Sequence, residues 1–483
     1  MPMTNFKHRP WLVLGRGLIA TSIPALIASG CGSDDETAAT PVDTVPGPEQ
    51  PGAGLASDRP DPCRGVPLPP DEHYVAPGLC ASAVALDQEG LRQISFATNG
   101  DLIGVKQSGD VVRFRDVNDD GMFQGSAEIL TLGNTGGNGN NAHLDEGGGF
   151  LYAGSPDGVV RWPYTSETTS LGTAEDVVID QPSSGTHSYH TVHVYDGWLY
   201  VHSGSEDNMV APMSPEYDTN RSLLKRFNLV DLTPSGFDWA AGEVVATGLR
   251  NMVGYTQSPA GELFGVVNGI DDLEYQGEDV HIDNPGEPLV QIEPGQAYGY
   301  PFCFTAQNIS AAAGPVQPGT QLASQVEGFT NPHDDAWCQQ NSEAPVSFLP
   351  AHSAPLDITF YAETDDATRA LPEEWAGGAF VSQHGSWNTD PSVGHNVVFF
   401  PFGGDEPSMP ASAQSPAVYP FTVVFGGGSA AGHVDGEWSW SSDDFGEDPV
   451  RPVGVAVSPV DGALYISSDG GGAIYRVGVP LGD

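Results

Sequence analysis

Short apolar runs that follow a turn recur six times along the chain, and they predict its architecture. Most begin after Gly or Asp, have an aromatic or β-branched centre and end in small polar residues, as in FATNGDLIGV at 96–105 and VYDGWLYVHSG at 194–204. Turn residues followed by such runs are typical of a strand that is entered through a tight turn. The remaining four units occupy residues 146–155, 258–269, 375–385 and 458–470.

A further apolar strand follows most of these units, for example DGVVRWPY at 157–164 and GGAIYRVGV at 471–479. No stretch of twelve residues has the pattern of an amphipathic helix. Six similar β units predict an all-β fold, a six-bladed β-propeller. A pair of large β-sandwiches is the alternative, less favoured because the units share one local pattern. We expect residues 66–479 to form a closed ring, with an N-terminal strand completing the last blade.

The N-terminus has the pattern of a targeting segment. Lys7 and Arg9 precede an apolar run that ends at Cys31. An arginine and a proline interrupt this run, so a stable membrane span is not expected. The ending ASGC resembles a bacterial lipoprotein signal over residues 1–31, with Cys31 as the lipidated first residue of the mature chain. A plain secretory signal is the alternative, and both place the protein outside the cytoplasm, in the bacterial periplasm or on the cell surface.

Residues 32–62 are rich in Pro, Gly, Asp and Thr and contain few aliphatic residues. Such a segment cannot bury enough apolar surface to fold, so we predict a disordered linker. The chain that follows, residues 63–483, is predicted to be the propeller domain.

The charge balance limits the classes of partner. The chain has 63 acidic and 17 basic residues and a formal net charge of −46. A surface this acidic repels nucleic acid and anionic lipid, so membrane contact is expected only through a lipid anchor. We interpret most of the charge as a solvated coat that keeps an exported protein soluble.

Cysteine usage is consistent with export. If Cys31 is lipidated, four cysteines remain, and an even number in an exported chain predicts two disulfides. Three pairings are open, of which the sequential one is the most economical. A Cys303–Cys338 bridge would restrain the Gly- and Pro-containing segment 304–337, and loop-closure entropy for that length is worth about 4 kcal/mol. The chain has no CxxCH motif and therefore carries no covalent haem.

Four of the 13 histidines lie in residues 183–204. Side chains alternate faces along a strand, so His187 and His193 share a face while His190 points away from it. A zinc site of three histidines from one strand is therefore not expected. Functional groups of a propeller come from strand ends and loops at the mouth of the central channel, and His187 lies closest to the preceding loop.

Several segments resemble one family, the PQQ-dependent glucose/sorbosone dehydrogenases, which are also called soluble aldose dehydrogenases. The family fold is a six-bladed propeller, as the repeat pattern independently predicts. The resemblance covers most of 66–479 and is strongest from residue 247 onward. The segments are TGLRNMVG (247–254), VVNGIDDL (266–273), AYGYPFCF (297–304), LPAHSAPLDITFY (349–361), FVSQHGSWN (380–388) and RPVGVAVSPVDGALYISSDGGGAIYRV (451–477).

The resemblance implies that His187 is the catalytic general base. It would accept the proton of the anomeric hydroxyl while hydride leaves the carbon for the PQQ quinone. A neutral histidine suits this role, because its ordinary pKa of about 6.5 leaves it a free base near neutrality. The family often has an arginine three residues later, where this chain has His190.

PQQ is a tricarboxylate, and the resemblance implies which residues bind it. Arg250 would hold a carboxylate in a bidentate manner, and Asn251 would add a hydrogen bond. Arg451, at the start of the last blade, would supply a cation from the other side. The resemblance places further cofactor contacts at three histidines: His143, His352 and His384.

The resemblance also implies a calcium ion beside the quinone, bound by the backbone carbonyls of Gly269 and Ile270. It would polarise a quinone carbonyl as a Lewis acid. Asp271 and Asp272 are near in sequence but are not assigned as ligands. The segment DVNDDG at 116–121 resembles a calcium loop but lacks the downstream Glu, and we interpret it as a solvated hairpin turn.

The resulting hypothesis is a PQQ- and Ca²⁺-dependent enzyme that oxidises an aldose at C1, or an aldosone. Electrons would pass to an external acceptor such as a quinone or a cytochrome. Two alternatives are a calcium-dependent lactonase-type propeller hydrolase, which needs converging Glu, Asn and Asp side chains, and a non-catalytic binding propeller. Convergence of His187, Arg250, Asn251 and Arg451 at one end of the channel would discriminate between them.

Overall fold

The computed structural model describes residues 63 to 481 except 70–71, 138, 210–219, 312–313, 364–366, 387, 390–391, 405, 416–417 and 428–449. The predicted signal segment and linker lie outside the described residues. Within the described part, no helix is both long and apolar enough to cross a membrane.

Six antiparallel sheets form the blades of a β-propeller, and each blade is given from its inner strand outward. Blade 1 contains Leu91–Phe96, Leu102–Lys106, Asp110–Phe114 and Ile129–Asn134. Blade 2 contains Ala142–Asp145, Phe150–Ser155, Gly158–Pro163 and Glu175–Ile179, with Phe237–Asp238 at its outer edge. Blade 3 contains Val192–Tyr195, Trp198–Ser203, Leu223–Asn228 and Glu243–Thr247.

The second half of the ring repeats this order. Blade 4 contains Asn251–Gln257, Leu263–Asn268, Glu287–Ile292 and Ser347–Leu349. Blade 5 contains Pro355–Phe360, Ala379–Gln383, Asn396–Phe400 and Thr422–Gly427, with His73–Val75 at its outer edge. Blade 6 contains Arg451–Val457, Leu464–Gly470, Ala473–Gly478 and Cys80–Ala85, with Val66–Pro67 at its outer edge.

The prediction of a six-bladed propeller is confirmed, including the way in which the ring closes. The N-terminal strand Cys80–Ala85 pairs with Ala473–Gly478, with Ala83 opposite Tyr475. Each of the six predicted units contains the second strand of one blade. The local pattern repeats because every blade needs the same tight turn between its inner strand and its second strand.

Smaller elements are inserted between the strands of blade 4 and beside other blades. The inserted strand pairs are Glu274–Tyr275 with Glu278–Asp279, Cys303–Thr305 with Gln321–Ala323, and Ser310–Ala311 with Gly314–Pro315. An α-helix, Asp335–Asn341, begins where the Asp334 carboxylate accepts a hydrogen bond from the Trp337 backbone N–H. The 3₁₀ turns are Leu229–Asp231, Trp239–Ala241, His281–Asp283, Glu373–Trp375 and Ala411–Ala413.

Both disulfides follow the sequential pairing. Cys63 is bonded to Cys80, which ties the start of the described chain to the strand that closes the ring. Cys303 is bonded to Cys338, which joins an inserted strand to the helix. The most economical of the three possible pairings is therefore the one that the fold adopts.

The core lies between neighbouring blades. At the junction of blades 4 and 5, Phe264 and Leu289 pack with Ile358 and Phe400, and all four side chains are buried. Truncating a buried Phe to Ala at such a position costs about 3–5 kcal/mol. The sheets of neighbouring blades therefore pack against each other through apolar side chains.

A ring of buried polar residues closes the waist of this channel. The Gln93 amide donates to an Asp357 carboxylate oxygen at 2.9 Å, and its oxygen accepts from Asn140 at 3.1 Å. Asn140 also donates to the Thr191 hydroxyl at 2.7 Å. These residues come from blades 1, 2, 3 and 5, so the network links the inner ends of four blades to one another. We call the channel end at which the inner strands begin the mouth.

Candidate active site

His187 lies at the mouth, in the loop before the inner strand of blade 3. Its Nδ1 is 2.8 Å from the Ser205 hydroxyl, which donates to the Asp207 carbonyl at 2.8 Å. Because that hydroxyl has only one proton, His187 Nδ1–H must be the donor in the first bond. The neutral ring therefore carries its lone pair on Nε2, which is the state that a general base needs.

Burial, together with the nearby charge of Arg250, lowers the pKa of His187 to about 3. The imidazole is therefore neutral throughout the physiological range. Ser205, which binds the His187 ring, is also linked to Arg250, since the Ser205 backbone N–H donates to the Arg250 carbonyl at 2.8 Å.

Gly204 allows His187 to approach the end of the blade 3 second strand. A Cβ atom added at Gly204 would lie 2.8 Å from both the Cβ and the carbonyl oxygen of His187. The same atom would lie 3.5 Å from the Asn251 side-chain oxygen. His187 and Asn251 therefore flank one glycine, and only a residue without a side chain fits between them.

Arg250 is 3% exposed and is held by several acceptors of the protein. Its Nε donates to the Asn208 carbonyl at 3.2 Å and its Nη1 to the Asn268 carbonyl at 3.3 Å. Its Nη2 donates to the Asn208 amide oxygen at 3.0 Å and to the Asp271 carboxylate at 3.1 Å. One of the five N–H groups, on Nη1, remains. A bidentate grip on a ligand carboxylate would require Arg250 to release Asp271 or Asn208.

Asp271 joins Arg250 to two further residues of the mouth. The Asn388 amide donates to Asp271 Oδ1 at 3.2 Å, while the Asn388 Oδ1 atom is buried without a hydrogen-bond partner. His352 Nδ1 lies 3.9 Å from Asp271 Oδ1, and its Nε2–H donates to the His281 carbonyl. Burial lowers the pKa of His352, so its Nδ1 carries a lone pair. His352 adopts a left-handed backbone conformation with φ +62°.

A second cluster at the mouth links blades 5, 6 and 1. The Arg451 Nη2 donates to His384 Nδ1 at 2.9 Å, and His384 Nε2–H donates to Asp469 at 2.8 Å. Arg92 forms an ion pair with the other Asp469 oxygen at 3.0 Å. Burial alone would raise the pKa of Asp469, but the hydrogen bond from His384 and the two arginines hold it well below its usual range. Burial lowers the pKa of His384 to about 4, so His384 is a neutral bridge.

Gly269 and Ile270 follow the second strand of blade 4, beside Arg250. A small cavity of about 30 Å³ is lined by these two residues, Arg250 and Asn268, among others. The Gly269 N–H donates to the buried Glu287 carboxylate at 2.5 Å, and burial raises the pKa of Glu287 to about 8. Among the residues described, no group of three or more His, Cys, Asp or Glu side chains could hold a metal ion. A cation here would therefore depend on carbonyl oxygens.

The structure does not bring His143 to the mouth. His143 lies three residues beyond Asn140, which is roughly 10 Å along an extended chain and past the polar ring at the waist. Its ring packs against His193 at 5.1 Å and Tyr195 at 5.7 Å. Burial lowers its pKa to about 4. As a cofactor contact, His143 remains a prediction that its surroundings do not support.

His190, which stands where the family often has arginine, is a buried structural residue. Its Nδ1 is 2.9 Å from the Ser155 carbonyl and its Nε2 is 3.2 Å from the Pro182 carbonyl. The ring therefore braces the loop that carries His187 against blade 2.

The mouth thus combines His187, Arg250, Asn251, His352, His384 and Arg451 with residues that the motifs did not indicate. Ser205 sets the tautomer of His187, and Asp469 with Arg92 orients His384 and Arg451. Asp271 was noted in sequence but had no role assigned. Asp469 lies in SSDGGG, at the end of the second strand of blade 6. The second strand of every blade ends at the mouth, so this position in the sequence could have indicated Asp469.

Comparison with known proteins gives consistent matches. The TrAA12-like family model matches residues 73–479. A pyrroloquinoline quinone-dependent pyranose dehydrogenase of Coprinopsis cinerea is 26% identical over 437 residues, which cover 86% of this chain and 56% of that protein. A pyrroloquinoline quinone-dependent sugar dehydrogenase of Hypocrea jecorina is 27% identical over 406 residues, which cover 80% of this chain and 84% of that protein. The chain therefore spans little more than half the length of the Coprinopsis relative.

Two solved structures have the same fold over most of this chain. The holo form of the PQQ domain of the Coprinopsis cinerea pyranose dehydrogenase matches with a TM-score of 0.71 at 24% identity, over 86% of this chain and 99% of that one. A calcium structure of a Trichoderma reesei enzyme of family AA12 matches with a TM-score of 0.72 at 24% identity, over the same shares. At this level of identity, the likeness establishes the propeller fold.

Proposed function

The chain belongs to the TrAA12-like family, and from this premise we propose that it is a PQQ-dependent oxidoreductase of sugars. The resemblance to PQQ-dependent glucose/sorbosone dehydrogenases supports the same activity. The substrate would be an aldose oxidised at C1, or an aldosone. The observation that carries the proposal is the convergence of a neutral histidine base and three arginines at the mouth. These are His187, Arg92, Arg250 and Arg451.

The donors at the mouth fit a tricarboxylate cofactor. In a chain with 17 basic residues in total, three arginines surround one opening. The Asn251 side chain borders the same opening, and the buried Asn388 Oδ1 lacks a partner. We propose that PQQ is held by Arg250, Asn251 and Arg451 together with two histidines, His352 and His384. When bound, PQQ would supply the two-electron acceptor for hydride.

His187 would act on the sugar hydroxyl. Its Nδ1–H is committed to Ser205, so Nε2 is the atom that would accept the proton of the anomeric hydroxyl. The lowered pKa keeps Nε2 unprotonated in the resting protein. Arg250, by its charge, opposes protonation of the ring before substrate arrives and would favour release of the proton afterward.

We further propose that Ca²⁺ binds at the carbonyl oxygens of Gly269 and Ile270. These residues border the cavity of about 30 Å³, which has room for a single ion or water. Glu287 stabilises this loop, because its carboxylate accepts a hydrogen bond from the Gly269 N–H. Hard cations such as Ca²⁺ take backbone carbonyl ligands, and a carboxylate-bearing cofactor would complete the shell.

The test is a titration of the chain from residue 32 with PQQ in the presence of Ca²⁺, followed by absorbance. A panel of aldoses with an electron-accepting dye would then reveal the substrate. We expect saturable PQQ binding and sugar-dependent dye reduction that is lost in His187→Ala but kept in His333→Ala, a control whose ring stacks on Trp337. Absence of PQQ binding at micromolar concentrations would reject the dehydrogenase and favour a binding propeller.

We also propose that the chain acts outside the cytoplasm, anchored by a lipid on Cys31, and passes electrons to an external quinone or cytochrome. The signal-like segment and the two disulfides support export. Labelling with a radioactive fatty acid, with Cys31→Ser as the control, tests the anchor. Release of both forms into the medium to the same extent would reject it.

A further inference from the structure

A second cavity lies at the end of the propeller opposite to the mouth, between blades 1 and 6. It has a volume of about 420 Å³. The turns between inner and second strands border it, with Asn99 and Gly100 from blade 1 and Val460 and Asp461 from blade 6. Four of the chain's 17 basic residues line this cavity: Arg64, Arg115, Arg369 and Arg476.

Arg369 differs from Arg115, which is paired with Asp101. Arg369 is 3% exposed, and its Nη2 is buried without a hydrogen-bond partner. Within the described part of the chain, no carboxylate forms an ion pair with it. Buried charges in proteins are normally paired, because an unpaired charge in a poorly hydrated place is costly. An unpaired guanidinium that lines a cavity therefore indicates a missing anion.

Other arginines add to the positive charge around Arg369. Arg476 is fixed by donating to the carbonyls of Gly121, at 2.9 Å, and Cys63, at 3.0 Å. Neither acceptor is charged, so the Arg476 charge is not neutralised. Burial and the charge of Arg476 lower the pKa of Arg369 to about 10, although the charge of Asp461 acts in the opposite direction.

Most of the carboxylates that border the cavity already have donors. Asp101 is paired with Arg115. The Asp461 carboxylate accepts from the Ala463 N–H at 3.2 Å and from the Tyr465 hydroxyl at 3.3 Å. Asp116, in the segment 116–121, accepts from the Gly121 N–H at 2.7 Å. Among the described residues, none of these three carboxylates forms an ion pair with Arg369.

We propose that this cavity is a binding site for a small oxyanion, a phosphate or a carboxylate, held by Arg369 with Arg476 and Arg64. Guanidinium groups match the geometry of both anions through paired N–H donors. A chain with a net charge of −46 repels anions in general, so binding here would reflect local arginines and not the overall field. The proposal is independent of the chemistry at the mouth.

The oxyanion could come from solution or from the chain itself. Leu481 lines the cavity, and the acidic residue Asp483 lies two residues further along. Both sources present the same chemistry to Arg369. They are distinguished by comparing the chain with Asp483→Asn, which removes this side-chain carboxylate and keeps the chain length.

The probe is inorganic phosphate, titrated at constant ionic strength by calorimetry and by thermal unfolding. We expect saturable binding at millimolar or lower concentrations and a rise in the unfolding midpoint. Arg369→Gln should weaken phosphate binding about tenfold or more, since it removes a charge-assisted donor. Arg226→Gln, which removes a partly buried arginine paired with Glu243, is the matched control and should bind phosphate as the wild type does.

Arg369→Gln also gives a readout that does not depend on phosphate. Without anion, its unfolding midpoint should equal or exceed that of the wild type, because the unpaired buried charge is removed. Stronger phosphate binding by Asp483→Asn would show that the Asp483 carboxylate competes for the site, and equal binding would show that the anion comes from solution. If neither chain responds to phosphate, or if Arg369→Gln binds it unchanged, the proposal is wrong.

Discussion

Gly204→Ala offers a sharp test of how the fold positions His187. The added Cβ would lie 2.8 Å from the Cβ and from the carbonyl oxygen of His187. Non-bonded carbon contacts are ordinarily about 3.5–4.0 Å, so the His187 loop or the end of the neighbouring strand must move by roughly 1 Å. The variant therefore displaces the proposed base without changing any polar group.

The expected magnitudes follow from this displacement. A misplacement of about 1 Å in a catalytic group can lower the rate about 100-fold. Overpacking of this kind lowers the free energy of unfolding by about 1–3 kcal/mol. The lower entropy of the unfolded alanine chain stabilises by about 0.4–1 kcal/mol, which partly offsets the loss.

Gly403→Ala is the matched control. The nearest atom to its added Cβ is the Ser408 hydroxyl oxygen at 3.8 Å, an ordinary contact. It includes the same change in unfolded-state entropy but no clash. The assay compares kcat/KM for sugar-dependent dye reduction, normalised to bound PQQ, with urea unfolding of both variants. If Gly204→Ala has kcat/KM within about twofold of Gly403→Ala, the close approach does not position the base.

Three further predictions test other features. His187→Gln, which lacks the basic Nε2, should lower sugar-dependent dye reduction about 100-fold or more while PQQ binding persists, as measured with the PQQ-loaded variant. The free energy of unfolding should fall as pH drops from about 6.5 to about 4, because seven histidines have a lowered pKa in the folded chain and take up protons in this range mainly when unfolded. Glu287 and Asp357, whose pKa is raised, act in the opposite sense but are fewer. Urea unfolding across this pH range checks the prediction, and constant stability would contradict it. Replacing the Cys303–Cys338 pair by serines should cost about 4 kcal/mol, against about 3 kcal/mol for the shorter loop of the Cys63–Cys80 pair, and equal losses would argue against loop length as the cause.

The six blades could be predicted from the sequence because each one is encoded locally. A turn, an inner strand and a second strand occupy about 20 consecutive residues, and their alternation is visible without any distant partner. The ends of the second strands then predict which loops share the mouth. The motif residues Arg250, Asn251, His352, His384 and Arg451 were instead indicated together by the resemblance to a family.

The chemical state of these residues could not be predicted in the same way. The tautomer of His187 depends on Ser205, which lies on the neighbouring strand and donates its own proton elsewhere. Because Arg250 donates to Asn208, Asn268 and Asp271, only one of its five N–H groups remains. His143 matched a motif but lies beyond the waist, since a register difference of three residues moves a side chain along the channel.

The sequence by itself determined the blade count, the order of the strands and the set of polar residues available at the strand ends. Only the tertiary structure decided which of those residues meet. Arg92 and Asp469, which are 377 residues apart in sequence, form an ion pair because closure of the ring brings blade 1 beside blade 6. At the opposite end, Arg64, Arg369 and Arg476 line one cavity although they are far apart in sequence. Local patterns specify each strand, but hydrogen bonds and charges act through space, and their partners are set by how the blades assemble.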